Sequence, residues 1–158
     1  MNIRIGQGID FHRLKKGLNL NIGGVKIPSD KGCVAHSDGD VLLHAICDAL
    51  LGAAGLRDIG FYFPDTSDEY KNIDSKILLE RTFNLISEKG FSVVNIDSTV
   101  CLEKPKISSF IPEMKTVISA VVETNPDEIT IKATSTENLG FIGREEGIVA
   151  IAVVLLSK

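Results

Sequence analysis

Aspartate, histidine and hydroxyl side chains recur in this sequence at spacings that suit metal and phosphate chemistry. In Gly6-Gln7-Gly8-Ile9-Asp10-Phe11-His12, Asp10 and His12 stand two residues apart just beyond a strand pattern, so their side chains leave the backbone on one side. A carboxylate oxygen and an imidazole nitrogen together suit a borderline cation such as zinc. Two ligands are too few, and a loop histidine beside a turn aspartate is the plainer account. A third ligand comes from 37–54, read as a helix. At 100° per residue, Ser37, Asp40, His44 and Asp48 fall within a sector of about 80°. Burying such groups unpaired costs roughly several kcal/mol each, so they require partners. Either Asp40 and Asp48 hydrogen-bond His44 at i±4, or His44 turns one ring nitrogen to a metal while an aspartate holds the other. Asp10, His12 and His44 would leave a fourth tetrahedral position open, the arrangement of a catalytic zinc.

Other groups suit anions. His36 and Ser37 stand at the expected helix start, where free amides and the helix dipole favour negative charge. Lys132-Ala133-Thr134-Ser135-Thr136-Glu137 ends a strand with three hydroxyls and a carboxylate, which can meet phosphate oxygens and a hard cation. Threonine is also a good strand former, and Glu137 can serve as a cap. Arg57-Asp58-Ile59-Gly60 and Phe63-Pro64-Asp65-Thr66 read either as turns or as carboxylates placed for a diol. Arg144 and Glu146 suit an ion pair next to an apolar strand.

The chain has 158 residues, 44% of them hydrophobic, with 17 basic and 21 acidic side chains and a net charge of −4. Folded as one domain over 1–158, a chain of this length buries roughly 69% of its unfolded surface, enough for a core without disulfides. The acidic balance speaks against nucleic acid and against an anionic membrane. Cys33, Cys47 and Cys101 show no CxxC spacing and leave one unpaired, which points to a reducing compartment. The N-terminus does not read as a signal peptide, and the longest apolar run, 147–156, is half a membrane span. The expectation is a cytoplasmic protein.

These groups are positioned by strands and helices in the order β-β-α-α-β-α-β-β, without the regular βαβα alternation of a dinucleotide-binding domain. Ile3–Ile9 alternates as a strand, with Gly6 and Gly8 opposite Ile5 and Gln7. Leu18, Leu20 and Ile22 mark a second strand, Val25–Ile27 a short partner, and 28–35 a polar loop. The 37–54 helix ends at Gly55, and 57–72 is irregular. Asp74 caps a second helix with Ile77, Leu78, the Arg81 stem, Leu85 and Ile86 inward. Phe91–Leu102 is a strand with Val94, Ile96, Val100 and Leu102 on one face. A third helix starts near Pro112, followed by strands at 129–134 and 148–156. The last is apolar at every position and needs cover on both faces. The order gives an α+β two-layer fold, a mixed sheet with three helices on one face, and a second subunit is one candidate to cover the other face. No dinucleotide fingerprint or P-loop is present.

Over almost its whole length the sequence resembles the 2-C-methyl-D-erythritol 2,4-cyclodiphosphate synthases of the non-mevalonate isoprenoid pathway. The segments are Gly6-x-Gly8-x-Asp10-x-His12, Ile22-Gly23-Gly24-Val25, Ala35-His36-Ser37-Asp38-Gly39-Asp40 and His44 with Asp48-Ala49-Leu50-Leu51-Gly52-Ala53. Asp58-Ile59-Gly60, Phe63-Pro64-Asp65-Thr66, Lys132-Ala133-Thr134 with Thr136-Glu137, Leu139-Gly140-Phe141 and Gly143-Arg144-x-Glu146-Gly147 continue the match in order.

The resemblance implies Zn2+ on Asp10, His12 and His44, and Mg2+ or Mn2+ on Glu137 with the substrate phosphates. It implies a metal-dependent phosphorus–oxygen lyase whose substrate is 4-diphosphocytidyl-2-C-methyl-D-erythritol 2-phosphate. His36 and Ser37 then contact the attacking phosphate, and Asp58, Gly60, Phe63 and Asp65 the erythritol. Pro105, Lys106, Ala133, Ser135 and Thr136 meet the cytidine diphosphate moiety. Ser135 stands where the family usually has threonine, and Ile107-Ser108 replaces a more usual Met-Leu pair. The resemblance further implies a homotrimer with sites between subunits, Phe141 among the substrate-binding residues, and an axial cavity near Arg144 for an isoprenoid diphosphate. Metal-assisted phosphoester hydrolysis and a purely isoprenoid-binding protein are the alternatives.

Overall fold

The computed structural model describes residues 2–158. Strand β1 runs Ile3–Lys16, well beyond the expected Ile3–Ile9, so Asp10 and His12 lie inside the strand. Its extension has a partner hidden in the polar stretch expected to be a loop: β4, Lys31–Val34, pairs antiparallel with Arg13–Lys16. Backbone amides pair whatever the side chains, and a polar strand is well suited to a sheet edge. Between the two, β2 (Leu20–Ile22) and β3 (Val25–Ile27) form a separate hairpin. Gly23 and Gly24 turn it with φ of 61° and 78°, the left-handed pair that a type I′ turn demands.

Helix α1 covers Val41–Ala53, starting later than the polar stripe from Ser37 suggests. Asp40 is its N-cap, accepting the Leu43 N–H at 3.0 Å. The irregular segment contains a one-turn helix, α2 (Ile59–Tyr62), capped by Asp58, which accepts the Phe61 N–H at 2.9 Å. Asp74 caps α3 (Ser75–Glu88) as expected. The buried stripe of α3 differs, however: it runs through Leu78, Leu79, Thr82, Phe83 and Ile86, while Ile77 is exposed. The helix packs on both α1 and α4 (Ile111–Val121), and these two neighbours select its inward face.

Strand β5 (Ser92–Cys101), β6 (Ile129–Thr134), the short α5 (Gly140–Gly143) and β7 (Gly147–Ser157) complete the fold. The sheet order is β4-β1-β7-β5-β6, with β5 and β6 parallel and the other neighbours antiparallel. This is the expected α+β class with a mixed sheet. A bulge between Val93 and Asn95 breaks the alternation of β5. Val94 is therefore exposed, and the inward row is Ile96, Ser98 and Val100.

Helix α1 lies on β1 and β7, and α4 meets β6. Beneath them Ile148, Ala150, Ala152, Val154 and Leu156 of β7 are wholly buried. The other face of the sheet pairs Ile5 with Leu155, Ile9 with Ile151 and Phe11 with Val149. Ile5 is 72% and Phe11 55% exposed, so this face is apolar and open in a single chain. Cys33 and Cys47 are buried free thiols that burial pushes up to about 12, so they stay protonated. No helix among the described residues is long and apolar enough to cross a membrane.

Gly6 and Gly8 face α1. A Cβ at Gly8 would stand 1.9 Å from the Ala45 carbonyl oxygen, and one at Gly6 2.0 Å from that of Ala49. Backbone cannot yield as a side-chain tip can, so Gly8→Ala should destabilise the fold by about 3 kcal/mol, measured by denaturant unfolding. Gly52→Ala is the control. Its Cβ meets only the Gln7 carbonyl oxygen at 3.9 Å, and the gain in helix propensity should leave stability unchanged or raised by about 0.5 kcal/mol.

Candidate functional site

Asp10 and His12 share the helix-facing side of β1 with Gly6 and Gly8, and this side meets α1 where His44 emerges. His12 Nε2 and Asp10 Oδ2 are 3.0 Å apart. His44 Nδ1 lies 3.0 Å from the same oxygen and 3.1 Å from His12 Nε2. A tetrahedral ion with bonds of about 2.0 Å has ligand–ligand edges of roughly 3.3 Å, so this triangle has nearly the right size. Protons satisfy it poorly, because two imidazole nitrogens and a carboxylate oxygen converge on one point and each neutral ring has only one N–H. The three residues fit a cation with one position left open.

Burial and the neighbouring charges act in opposite directions on two of these groups. Burial raises the Asp10 carboxyl, but the hydrogen bonds and charges of His12 and His44 prevail and hold it well below the usual carboxylate range. Burial lowers His44, and Asp10 more than offsets this, lifting it above the ordinary imidazole value.

The remaining nitrogen of His44 meets neither of the aspartates that its helical neighbours suggest. His44 Nε2 lies 2.9 Å from Ser75 Oγ and 3.1 Å from Ser37 Oγ. Asp40, wholly buried, accepts the Gly23 and Gly24 amides at 2.9 and 2.7 Å besides capping α1. Burial pushes its carboxyl up against the pull of these amides. Asp48 accepts the Ile59 amide at 2.7 Å and so anchors the first turn of α2.

His36 and Ser37 precede α1 rather than sit in its first turn, so the amide and dipole argument for an anion there fails. A paired segment places them instead. The Asn72 amide donates to the His36 carbonyl at 2.7 Å, and the Asp38 amide to the Ile73 carbonyl at 3.0 Å. His36 Nε2 donates to the Ser67 carbonyl at 3.0 Å.

A cavity of about 440 Å³ opens beside the triangle. Asp10, His12, His36, Ser37, His44, Gly60, Phe63 and Asp65, the residues assigned above to metal, attacking phosphate and erythritol, line it. Asp58 does not line it and acts as the α2 cap. Tyr70, Ile73 and Leu78 complete the wall. Sequence reasoning missed these three, together with the contacts of Asp38 and Ser75, because none follows from local periodicity.

The second group of expected residues stands outside this cavity. Pro105, Lys106, Ala133, Ser135, Thr136 and Glu137 belong to the β5–β6 end of the sheet, with β7 and β5 lying between β6 and β1. There Ser135 Oγ donates to Glu137 Oε1 at 2.9 Å, and Thr136 Oγ1 to the Leu139 carbonyl at 2.7 Å. The Thr136 amide donates to Glu103 at 3.3 Å. Phe141 bounds a different cavity with Phe11, His12, Arg13, Glu146 and Gly147. Arg144 forms two bonds of 3.1 Å to Glu146, both side chains exposed.

Asp40→Ala removes an N-cap and strands two hairpin amides, so it should cost about 3 kcal/mol in denaturant unfolding. Asp65→Ala, at the cavity rim with no such bonds, should cost less than about 0.5 kcal/mol.

The YgbB family model matches residues 3–157. The 2-C-methyl-D-erythritol 2,4-cyclodiphosphate synthase of Bacteroides thetaiotaomicron is 56% identical over 158 residues, covering 100% of this chain and 99% of its own. That of Parabacteroides distasonis is 54% identical, covering 100% and 98%. Among solved structures, the bifunctional IspDF of Campylobacter jejuni aligns with a TM-score of 0.94 and 42% identity, over 98% of this chain and 42% of that one. The IspF of Plasmodium falciparum in complex with CDP aligns with a TM-score of 0.86 and 37% identity, over 98% and 96%. With the family model matched along nearly its whole length and such identities to full-length relatives, the chain belongs to the YgbB family.

Proposed function

We propose that the protein converts 4-diphosphocytidyl-2-C-methyl-D-erythritol 2-phosphate to 2-C-methyl-D-erythritol 2,4-cyclodiphosphate and CMP, as a single domain over 1–158 in the non-mevalonate isoprenoid pathway. The observation that carries the reading is the near-equilateral Asp10, His12, His44 triangle at the wall of a cavity large enough for a phosphorylated polyol. The relatives named cyclodiphosphate synthase and the CDP complex of a neighbour support the same substrate class.

Two nitrogens and one oxygen at tetrahedral spacing favour Zn2+ at Asp10, His12 and His44. Glu137 is the residue for Mg2+ or Mn2+, a hard cation shared with substrate phosphates. When bound, these ions supply Lewis-acid polarisation and screen the anionic groups that must come together. The protein's own residues have the task of positioning. His36 and Ser37 orient the attacking 2-phosphate, which is already ionised near neutral pH and needs no base. Its oxygen bonds to the β-phosphorus as the bond from that phosphorus to the bridging oxygen breaks. CMP leaves with that oxygen and its electron pair, which makes the enzyme a phosphorus–oxygen lyase.

Asp65 accepts from an erythritol hydroxyl, the Gly60 backbone lies against the polyol, and Phe63 packs beside it. Asp58 acts through the α2 cap. Pro105, Lys106, Ala133, Ser135 and Thr136 hold the cytidine diphosphate end, with Ser135, Thr136 and Glu137 at the phosphates. A homotrimer supports this division, because a neighbouring subunit would bring the second group of residues to the first. The exposed apolar row Ile5, Ile9 and Phe11 is suited to such a contact. Phe141 would contact the substrate, and Arg144 would border an axial cavity for an isoprenoid diphosphate. The low charge and free buried thiols fit a cytoplasmic setting.

Product analysis by phosphorus NMR and mass spectrometry tests the reading. Cyclic diphosphate with CMP is expected, lost on chelation and restored by zinc. Linear phosphorylated products would instead mean hydrolysis. His44→Ala should lower turnover at least about a hundredfold while the oligomer remains folded. Glu137→Gln should raise the magnesium concentration needed for half-maximal rate and leave zinc content unchanged.

A further inference from the structure

We infer that Ser75 and Asp38 are positioning residues that place the proton of His44 on Nε2 and thereby aim the Nδ1 lone pair into the Asp10–His12–His44 triangle. The inference rests on the reading of that triangle as a zinc site. Ser75 is the first residue of α3 and is wholly buried, so water does not compete for its hydroxyl. Its Oγ–H donates to Asp38 Oδ1, and its backbone N–H donates to Asp38 Oδ2 at 3.2 Å. The Asp40 amide donates to Asp38 Oδ1 at 3.2 Å as well. Every partner of this carboxylate is a donor.

A serine hydroxyl has one hydrogen. With that hydrogen committed to Asp38, Ser75 Oγ can only accept from its other neighbour, His44 Nε2 at 2.9 Å. A neutral imidazole protonated on Nε2 carries its lone pair on Nδ1. That is the atom 3.0 Å from Asp10 Oδ2 and 3.1 Å from His12 Nε2. Ser37 Oγ, 3.1 Å from His44 Nε2, accepts the Gly39 amide at 3.1 Å and is compatible with the same tautomer. The chain from carboxylate through hydroxyl to imidazole thus does what a carboxylate does directly in many metal sites. It also joins three separate segments: the loop before α1, the helix itself and the start of α3.

Chelator competition on the full-length protein tests this independently of turnover. Ser75→Ala should weaken zinc binding by about 10- to 100-fold, with far-UV circular dichroism unchanged. Asp38→Asn added to Ser75→Ala should weaken it by less than about threefold more, because Asp38 acts through Ser75. Imidazole nitrogen NMR of the zinc-loaded parent should place the metal on His44 Nδ1 and an exchange-protected proton on Nε2. That measurement decides the matter even if Ser75→Ala fails to fold. Zinc affinity within twofold of the parent in Ser75→Ala, fully additive losses in the double variant, ligation through Nε2, or no zinc uptake by the parent would each overturn the inference. A protein that binds zinc in this manner but forms no cyclic diphosphate would leave it standing and remove the proposed function instead.

Discussion

The close contact of β1 with α1 is the constraint on which the rest depends. Gly6 meets Ala49 and Ala53, and Gly8 meets Ala45 and Ala49, with no room for a Cβ on the strand. Two residues of strand advance the chain by about 6.7 Å, and four residues of helix by about 6.0 Å. The two elements therefore stay in step as they run past one another, small residue against small residue. The next positions of the strand on this face are Asp10 and His12, and the residue before Ala45 is His44. The contact that seats the helix thus also brings imidazole to carboxylate, across 34 residues of sequence.

Around that contact each polar side chain of the α1 stripe has a separate partner. Asp40 ties the β2–β3 hairpin to the helix start, His44 faces the triangle, and Asp48 secures the first turn of α2. Burial makes these assignments strict. A carboxylate or imidazole taken from water without a partner is destabilising by several kcal/mol, roughly, so each group holds a piece of backbone in place. The walls of the cavity follow from this. Asp48 fixes the turn carrying Ile59 and Gly60, and the pairing of 36–38 with 72–75 fixes His36, Ser37 and Ile73.

The sheet divides the chemistry. Its β1 side carries the triangle and cavity; its β6 side carries the hydroxyls and Glu137, with β7 and β5 between. Ile5 and Phe11 are left open to solvent on the face away from the helices. In the proposed trimer a neighbouring subunit would cover that apolar row.

Much of this was legible in the residues themselves. Alternation located β1, β2, β3 and β6, and apolar periodicity located α1, α3 and α4, because each pattern reports one buried face. Asp10 and His12 were legible as a pair because strand geometry has a period of two, and His44 as a candidate because it lies on a polar stripe of an apolar helix. The sequence alone, however, left two roles open for Asp40 and Asp48, and the structure assigns neither. It moved the start of α1 to Val41, turned α3 by its contacts with α1 and α4, and found β4 in a polar stretch. Ser75 had no local mark as a partner of His44, nor Asp38 as a partner of Ser75. Local pattern determines which face of an element is buried; which distant group then meets a given polar atom is decided by how the elements pack, and only the tertiary structure contains that.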